Sequence, residues 1–187
     1  MDITRRSQYD IKMTTPILSG LKVCLCPKSV ADARQDYSWQ KDAELMAFSG
    51  NEPLTESFPE YLTQSLTAHS PQGIMEVFAV RTVQEGRHIG NCALYYIDHP
   101  AGEAQLGIAI GERDCWSKGY GSEAVKMLSH YAFDKLGLAK VRLKTLENNN
   151  RAKRCFEKCG FTPCGTLLHE GRHYVLMELA RPSYPAY

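Results

Sequence analysis

The stretch from Arg113 to Ala124 reads RDCWSKGYGSEA and carries two glycines, Gly119 and Gly121, one residue apart. The apolar run LGIAI just before it (106–110) predicts a β-strand, and the apolar spacing that follows it predicts a helix. The glycines therefore fall in a strand-to-helix turn, where the first N–H groups of a helix have no partner within that helix. Together with the positive end of the helix dipole, these groups favour the binding of a phosphate.

The glycine turn matches neither of two well-known nucleotide-binding patterns. It contains no G-x-x-x-x-G-K-[ST] sequence, and the dinucleotide fingerprint requires an opening βαβ unit and a glycine three residues after Gly121, where this chain has Ala124. Lys118 adds a positive charge beside the turn. From the turn alone two interpretations stay open, a phosphate site and glycines that serve only to make the turn.

The overall composition narrows the class of protein. The chain has 187 residues, which suits one domain, and its 22 lysines and arginines balance 21 aspartates and glutamates. This balance does not favour nucleic acid or an anionic membrane surface as a partner, and no apolar run is long enough to span a bilayer. The seven cysteines occur without a secretory signal pattern or zinc-type spacing, so we expect reduced thiols, a cytoplasmic location and no metal.

The remaining elements follow from the spacing of apolar residues. Strands are predicted at 21–27, 75–83, 88–98, 104–110, 139–146 and as a final pair after residue 160. Helices are predicted at 30–48 (as one helix or two), at 57–66, from the glycine turn to 136 and at 151–158. The three consecutive strands before the glycine turn predict antiparallel pairing, whereas the crossover from 104–110 to 139–146 predicts a parallel pair. We therefore expect an α/β fold with a mixed sheet and helices on both faces.

A long stretch around the glycine turn resembles a known family. Residues 107–161 are similar to the core of the GNAT superfamily of acetyl-CoA-dependent N-acetyltransferases. This range includes the glycine turn and ends with LENNNRAKRCFEKCGF (146–161). The similarity is greatest to the branch that includes the ribosomal-protein N-terminal acetyltransferases, whose turn is typically W-G-K-G-Y-G-T-E-A. It implies one N-acetyltransferase domain over 20–181, with an N-terminal extension (1–19) and a C-terminal tail (182–187). The implied sheet is mostly antiparallel, with a central parallel pair splayed apart for acetyl-CoA.

The resemblance also implies where acetyl-CoA binds. The pantetheine arm would lie along the strand and pair with backbone groups of Leu106, Ile108 and Ile110. Asn149 matches an asparagine that typically contacts the pantetheine or acetyl region, Arg151 would face the phosphates, and Phe156 would pack a wall of the pocket. The pyrophosphate would lie on the turn, whose residues are Trp116, Ser117, Lys118, Gly119, Tyr120, Gly121 and Ser122.

The catalytic groups depart from the family pattern at two positions. Relatives often have a glutamate as base where this chain has Gln105, and an amide does not take up a proton at neutral pH. Glu103, two residues earlier on the same strand face, is the candidate base, directly or through a water, with a solvated turn residue as the alternative. The backbone N–H of Ile108 is the candidate oxyanion donor. Relatives also carry a tyrosine as acid where this chain has Phe156, so no group is assigned to protonate the thiolate.

The expected function is acetyl transfer from acetyl-CoA to a primary amine, either a protein N-terminus or a small molecule, by direct attack on the thioester. Trp39, Glu44, the loop 51–57 and Tyr95 are expected on the acceptor side, and a homodimer is a possible assembly. Gln105 and Phe156 favour an alternative, a non-catalytic module that senses CoA thioesters. A protein whose glycine turn holds a different phosphate is a third interpretation.

Overall fold

The computed structural model describes residues 15–67 and 75–182, and within these ranges its strands form one sheet. The strands are β1 (Leu18–Ser19), β2 (Val23–Pro27), β3 (Glu76–Thr82), β4 (His88–Asp98), β5 (Glu103–Ile110), β6 (Lys140–Leu146), β7 (Thr162–His169) and β8 (Arg172–Ala180). Their order across the sheet is β1-β2-β3-β4-β5-β6-β8-β7, which leaves β5 in the middle. Among these pairs only β5 and β6 run parallel. The structure thus confirms the expected mixed, mostly antiparallel sheet.

The helices lie on both faces of this sheet, as expected. They are α1 (Ala33–Gln40), α2 (Ala43–Ser49), α3 (Phe58–Thr67), α4 (Tyr120–Asp134) and α5 (Asn150–Lys158), with short 3-10 turns at Val30–Asp32 and Arg113–Cys115. We name the two sides of the sheet the α4 face and the α1 face. Within the described ranges, no helix has the length and apolar content that crossing a membrane requires.

The α4 face carries the main hydrophobic core. Leu94 and Leu106 of the central strands are buried against Val125 and Leu128 of α4, and all four belong to one buried cluster. Burial of such a side chain contributes roughly 1.5–3 kcal/mol. The right-handed crossover from β5 through α4 to β6 places α4 on this face, so its N-terminus lies where β5 ends.

One part of the chain differs from the sequence expectations. Leu18 and Ser19, which we expected in the N-terminal extension, form β1 and pair with Leu25 and Cys24. The helical stretch predicted over 30–48, as one helix or two, is divided, because Asp42 ends the first helix region and caps α2 by accepting a hydrogen bond from the backbone N–H of Leu45 at 3.0 Å. Residues 1–14, 68–74 and 183–187 lie outside the described ranges, so most of the extension and the tail stay predictions.

Candidate active site

A gap opens between β5 and β6 at the centre of the sheet. The two strands pair only over Glu103–Gln105 and 140–142, after which β6 continues its ladder with β8 as far as Leu146. The rest of β5, from Leu106 to Ile110, therefore has β4 on one side and the gap on the other. This is the splayed parallel pair that the sequence led us to expect.

The backbone of β5 alternates between its two sides, as in any extended strand. The N–H of Gly111 donates to the carbonyl of Ile89 on β4 at 2.9 Å. Because backbone groups alternate along a strand, the N–H and C=O groups of the odd-numbered residues of β5 point toward β4. The N–H and C=O groups of Leu106, Ile108 and Ile110 consequently face the gap. The carbonyl of Ile110 accepts a hydrogen bond from the Trp116 indole at 2.7 Å, which leaves its N–H for a ligand.

The glycine turn forms the N-terminus of α4 at one end of the gap. Ser117 (φ 59°) and Gly119 (φ 89°) both adopt the left-handed conformation, which glycine tolerates best, and the helix begins at Tyr120. The first helical backbone bond runs from the N–H of Glu123 to the carbonyl of Gly119 at 3.0 Å. The N–H groups of residues 120–122 come before that bond and, like those of any helix start, are free to bind an anion.

Lys22 adds a positive charge to the glycine turn, and the sequence analysis did not predict this charge. Its ammonium group donates to the carbonyl of Lys118 at 2.8 Å and lies 3.3 Å from the position that a Cβ on Gly119 would occupy. The Glu123 carboxylate brings the two segments together, because it accepts the backbone N–H groups of residues 21, 22 and 23 at 2.7–2.8 Å. Nothing in the local sequence of either segment indicates this long-range contact.

Trp116 and Arg151 form a stacked pair beside the turn. The Arg151 guanidinium lies 3.5 Å from the centre of the Trp116 ring and 4.6 Å from that of Phe48, whose ring meets Trp116 edge-on at 5.7 Å. Burial among these rings lowers the pKa of Arg151, but not enough to remove its charge at neutral pH. The structure thus holds Arg151 next to the predicted pyrophosphate site, with donors available for an anion.

The other two predicted cofactor residues are engaged by the protein itself. Asn149, 8% exposed, caps α5 by accepting the N–H of Ala152 at 3.1 Å, and its amide group donates to the carbonyl of Phe48 at 3.1 Å. Phe156 is 7% exposed and meets Phe161 edge-on at 6.0 Å within the core. Both side chains therefore have a structural explanation, and their contact with acetyl-CoA stays a prediction.

Ser122 at the start of α4 contacts two thiols of α5, one through its hydroxyl and one through its backbone carbonyl. Its hydroxyl lies 3.3 Å from the sulfur of Cys155, and the Cys159 thiol donates to the Ser122 carbonyl at 3.3 Å. These contacts tie α5 to α4 next to the turn. Among the residues that the structure describes, no group of three or more His, Cys, Asp or Glu side chains is placed to hold a metal ion.

An opening lies above β5 on the α1 face. The Tyr95 phenol occupies the space over Gly107, and the Trp39 ring occupies the space over Gly111. Ala109 lies between these two glycines on the same strand face and is exposed to solvent, although β5 is the middle strand of the sheet. Two aromatic side chains thus border a cleft whose floor is the strand that faces the gap. Trp39 and Tyr95 were both expected on the acceptor side.

The candidate base Glu103 takes part in a network of ion pairs at the closed end of the gap. Its carboxylate lies 3.0 Å from the Arg142 guanidinium and 3.9 Å from the Lys140 ammonium. Glu178 lies 3.2 Å from the same lysine. Gln105 pairs with Tyr95 in the ladder between β4 and β5 and with Arg142 in the ladder between β5 and β6. Because the oxygens of Glu103 are engaged by cations, the geometry gives its role as base no direct support, and that role stays a prediction.

Comparison with known proteins identifies the family. The family model of the acetyltransferase (GNAT) domain matches residues 22–162. The chain is 29% identical over 152 residues to the spermidine N(1)-acetyltransferase of Escherichia coli (strain K12), which covers 81% of this chain and 79% of that protein. It is 28% identical over 160 residues to the alpha/beta-tubulin-N-acetyltransferase 9 of Homo sapiens, which covers 80% of this chain and 77% of that protein.

A solved structure shares the fold. The spermidine N-acetyltransferase from Vibrio cholerae, in complex with CoA and spermine, superposes with a TM-score of 0.75 at 24% identity, over 84% of this chain and 95% of that one. The splayed strands, the glycine turn at a helix start and the family match over most of the sequence agree with one another. The chain belongs to the GNAT family of acetyltransferases and is an acetyl-CoA-dependent N-acetyltransferase.

Proposed function

We propose that this chain acetylates a primary amine that has a neutral or anionic neighbouring group, such as a protein N-terminus or an amino acid, rather than a polyamine. The observation that carries the transfer reaction is the gap between β5 and β6, which ends at the free N–H groups of α4. The proposal about the acceptor rests on the charges that border the cleft on the α1 face.

The transfer needs a neutral amine, donors for the thioester oxygen and an exit for the thiolate. Acetyl-CoA lies in the gap, with its pyrophosphate at residues 116–122 and its thioester oxygen at the N–H of Ile108. The amine approaches over Ala109 and attacks the carbonyl carbon. A C–N bond forms, the oxygen charge is stabilised by the backbone donor, and the C–S bond then breaks to release CoA. Orientation in the gap supplies much of the rate.

The β6 side of the cleft is cationic. The first, third and fifth residues of β6 are basic: Lys140, Arg142 and Lys144. These side chains lie on the same face of the sheet as Gln105. Glu103 and Glu178 offset two of these three charges. The Arg142 side chain is 50% exposed, and the Lys144 ammonium lies 5.1 Å over the ring of Tyr174. The excess positive charge opposes a polyamine acceptor and favours an acceptor that carries a carboxylate.

The same cations act on the reacting amine. A neighbouring positive charge disfavours protonation of an amine and so lowers its pKa. This effect raises the fraction of acceptor that is neutral and ready to attack, which a chain with Gln105 in place of a glutamate base needs.

The relatives support two acceptor classes. The Escherichia coli relative is a spermidine acetyltransferase and the human relative is a tubulin acetyltransferase. A protein N-terminus, which the resemblance to ribosomal-protein N-terminal acetyltransferases implies, is compatible with the cationic wall of the cleft. The homodimer expected from that resemblance stays a prediction.

A panel of amines tests the acceptor class. CoA release is measured with the purified chain, acetyl-CoA and spermidine, spermine, glutamate, or short peptides with acidic residues after the N-terminus. We expect kcat/KM to be at least about tenfold higher for the carboxylate-bearing amines, which corresponds to about 1.4 kcal/mol. Arg142→Gln and Lys144→Gln should reduce that preference. A preference for spermidine or spermine would contradict the proposed acceptor class.

A non-catalytic CoA-sensing module is the alternative that Gln105 and the buried Phe156 raise, and the family match favours the transferase over it. The same panel separates it from a transferase. Binding of acetyl-CoA without release of CoA above the buffer rate for every amine would favour the sensor.

A further inference from the structure

Tyr95 has an unusual position on the reacting strand. A Cβ built on Gly107 would lie 2.1 Å from the Tyr95 hydroxyl oxygen and 2.9 Å from two carbons of its ring. The phenol therefore lies across β5 on the α1 face, in the space that a side chain at position 107 would fill. The hydroxyl lies directly over the residue whose peptide bond supplies the N–H of Ile108. A glycine is required at this position because any larger side chain would displace the phenol.

A β-bulge in β4 supports this placement. The ladder between β4 and β5 is regular to the pair Tyr95–Gln105 and resumes at Asp98–Glu103, so β4 has an additional residue there. Tyr96, within the bulge, adopts φ 51°, a conformation that costs energy for a non-glycine residue. Bulges often occur next to active sites, where they redirect a side chain.

The bulge also places the side chains of Tyr95 and Tyr96 on the same face of the sheet. In a regular strand, successive side chains point to opposite faces. Here the ring centres of Tyr95 and Tyr96 are 5.7 Å apart with nearly perpendicular planes, so both rings lie on one side of the sheet. Tyr96 is 80% exposed, whereas Tyr95 is partly buried between this ring and Gly107.

Among the side chains and backbone groups that the structure describes, none forms a hydrogen bond with the Tyr95 hydroxyl, and the ring is packed. A packed tyrosine usually finds a partner for its hydroxyl, so an unpaired one that faces a cleft indicates a ligand contact. Burial raises the pKa of Tyr95, so the phenol is protonated throughout the physiological range and can donate. It is thus a neutral donor next to the site where the thioester reacts.

We propose that the Tyr95 hydroxyl is the acid that protonates the CoA thiolate. The assignment rests on the proposed transfer reaction, in which the family's tyrosine position on α5 is occupied by Phe156. The new acid comes from a different element, the strand next to β5.

The proton balance is closed within the reaction. The amine nitrogen attacks the carbonyl carbon, which gives an intermediate with a protonated nitrogen and an anionic oxygen at the Ile108 N–H. When the C–S bond breaks, its electron pair goes to sulfur, and the phenol proton is transferred to that sulfur. The nitrogen then gives its extra proton to the Tyr95 phenolate, directly or through water. The products are the amide and CoA thiol, and Tyr95 is regenerated.

Tyr95→Phe tests this role, with Tyr96→Phe as the matched control. The phenylalanine keeps the ring over Gly107 and removes only the hydroxyl. Hydroxylamine is used as the acceptor because it is small and neutral at neutral pH, and the rate without enzyme is subtracted because hydroxylamine also cleaves thioesters unaided. We expect CoA release at saturating acetyl-CoA to fall about 10²-fold in Tyr95→Phe, the usual scale of general acid catalysis, and to be unchanged in Tyr96→Phe. The affinity for acetyl-CoA and the melting temperature should be those of the wild-type chain.

A selenoester analogue of acetyl-CoA separates acid catalysis from packing. A selenolate is a weaker base than a thiolate and leaves with less help, so the defect of Tyr95→Phe should shrink with this donor. Equal rates for Tyr95→Phe and wild type, an equal defect in Tyr96→Phe, or a defect that is the same with both donors would each overturn the assignment. These outcomes leave the transfer function intact. A wild-type chain that binds acetyl-CoA but releases CoA no faster than buffer would overturn both.

Discussion

Gly121 is a residue at which the proposed phosphate site can be tested with little disturbance of the fold. A Cβ at this position would lie 3.5 Å from a side-chain carbon of Ile110 and 3.9 Å from the sulfur of Cys155, which are ordinary contacts. Gly121→Asp places a carboxylate where we propose that the phosphate binds, while an acidic residue in the first turn stabilises the helix. We expect calorimetry to show at least about 100-fold weaker acetyl-CoA binding, a loss of about 2.7 kcal/mol.

Gly121→Ala is the control for that substitution, because it adds the Cβ without the charge. It should bind acetyl-CoA nearly as well as the wild-type chain and melt at a similar temperature. Wild-type affinity in the aspartate variant would contradict an anion site at the start of α4.

Glu103→Gln tests the candidate base. If the carboxylate removes a proton, kcat should fall at least about tenfold and the decline of rate toward acid pH should flatten, because the titrating group is lost. Glu178→Gln is the control, since it disturbs the same ion pairs of Lys140 and Arg142 without the proposed base. Similar rates and pH profiles for the two variants would assign Glu103 to the ion-pair network alone.

At the scale of single residues, the sequence predicted local features but not contacts that depend on the fold. The glycine turn was identifiable because helix starts and glycine spacing are local signals. Tyr95 was expected on the acceptor side but without a chemical role. The position of the neighbouring Tyr96 could not be predicted, because strict alternation would direct the two tyrosines to opposite faces and the bulge that brings them together has no reliable sequence pattern. The sequence also did not predict the role of Lys22 at the turn, because its contact with the turn depends on tertiary structure.

At the scale of elements, α1 is attached to the sheet through a buried polar cluster. Lys28 pairs with Asp36, and Arg81 pairs with Asp32. His88 lies between the two aspartates, and its Nδ1 is 3.5 Å from the nearer Asp32 oxygen. This nitrogen is buried and has no hydrogen-bond partner among the described residues. Burial lowers the pKa of His88, so it is neutral in the folded chain at neutral pH.

This cluster predicts a loss of stability in mild acid. In the unfolded chain a histidine titrates near pH 6.5, above the depressed pKa of the folded state. Between the two values the unfolded chain binds more protons, so the free energy of unfolding falls as the pH falls below about 6.5. Each unit of pKa depression accounts for about 1.4 kcal/mol of that loss.

Urea unfolding at about pH 7 and about pH 5 measures the effect. His88→Gln should lose less stability over this interval than the wild-type chain. His130→Gln, at an exposed position on α4, is the control and should behave as wild type. Equal pH dependence in all three chains would remove His88 as the cause.

The elements themselves were largely predictable. The crossover β5-α4-β6 follows from one helical period between two apolar strands, and it dictates both the parallel pair and the position of the glycine turn. The division of the first helical stretch and the short strand β1 were harder, because a cap at Asp42 and a two-residue strand give weak local signals.

At the scale of the whole molecule, the proposed sites for the two substrates lie on different sides of β5. The gap beside β5 and the start of α4 form the proposed acetyl-CoA side, and the cleft over Ala109 forms the proposed acceptor side. The expectations for the first side rest on local sequence patterns, because that side consists of backbone groups and glycines. The acceptor side depends on side chains from α1, β4 and β6, whose arrangement only the fold determines.

Calorimetric titration of the wild-type chain with acetyl-CoA tests the central claim most directly, with CoA and ATP as comparison ligands. The gap and the α4 N-terminus predict one site per chain with micromolar affinity for acetyl-CoA and for CoA, and much weaker binding of ATP, which has phosphates but no pantetheine arm. Absence of acetyl-CoA binding, or equal affinity for ATP, would contradict the placement of the cofactor along β5.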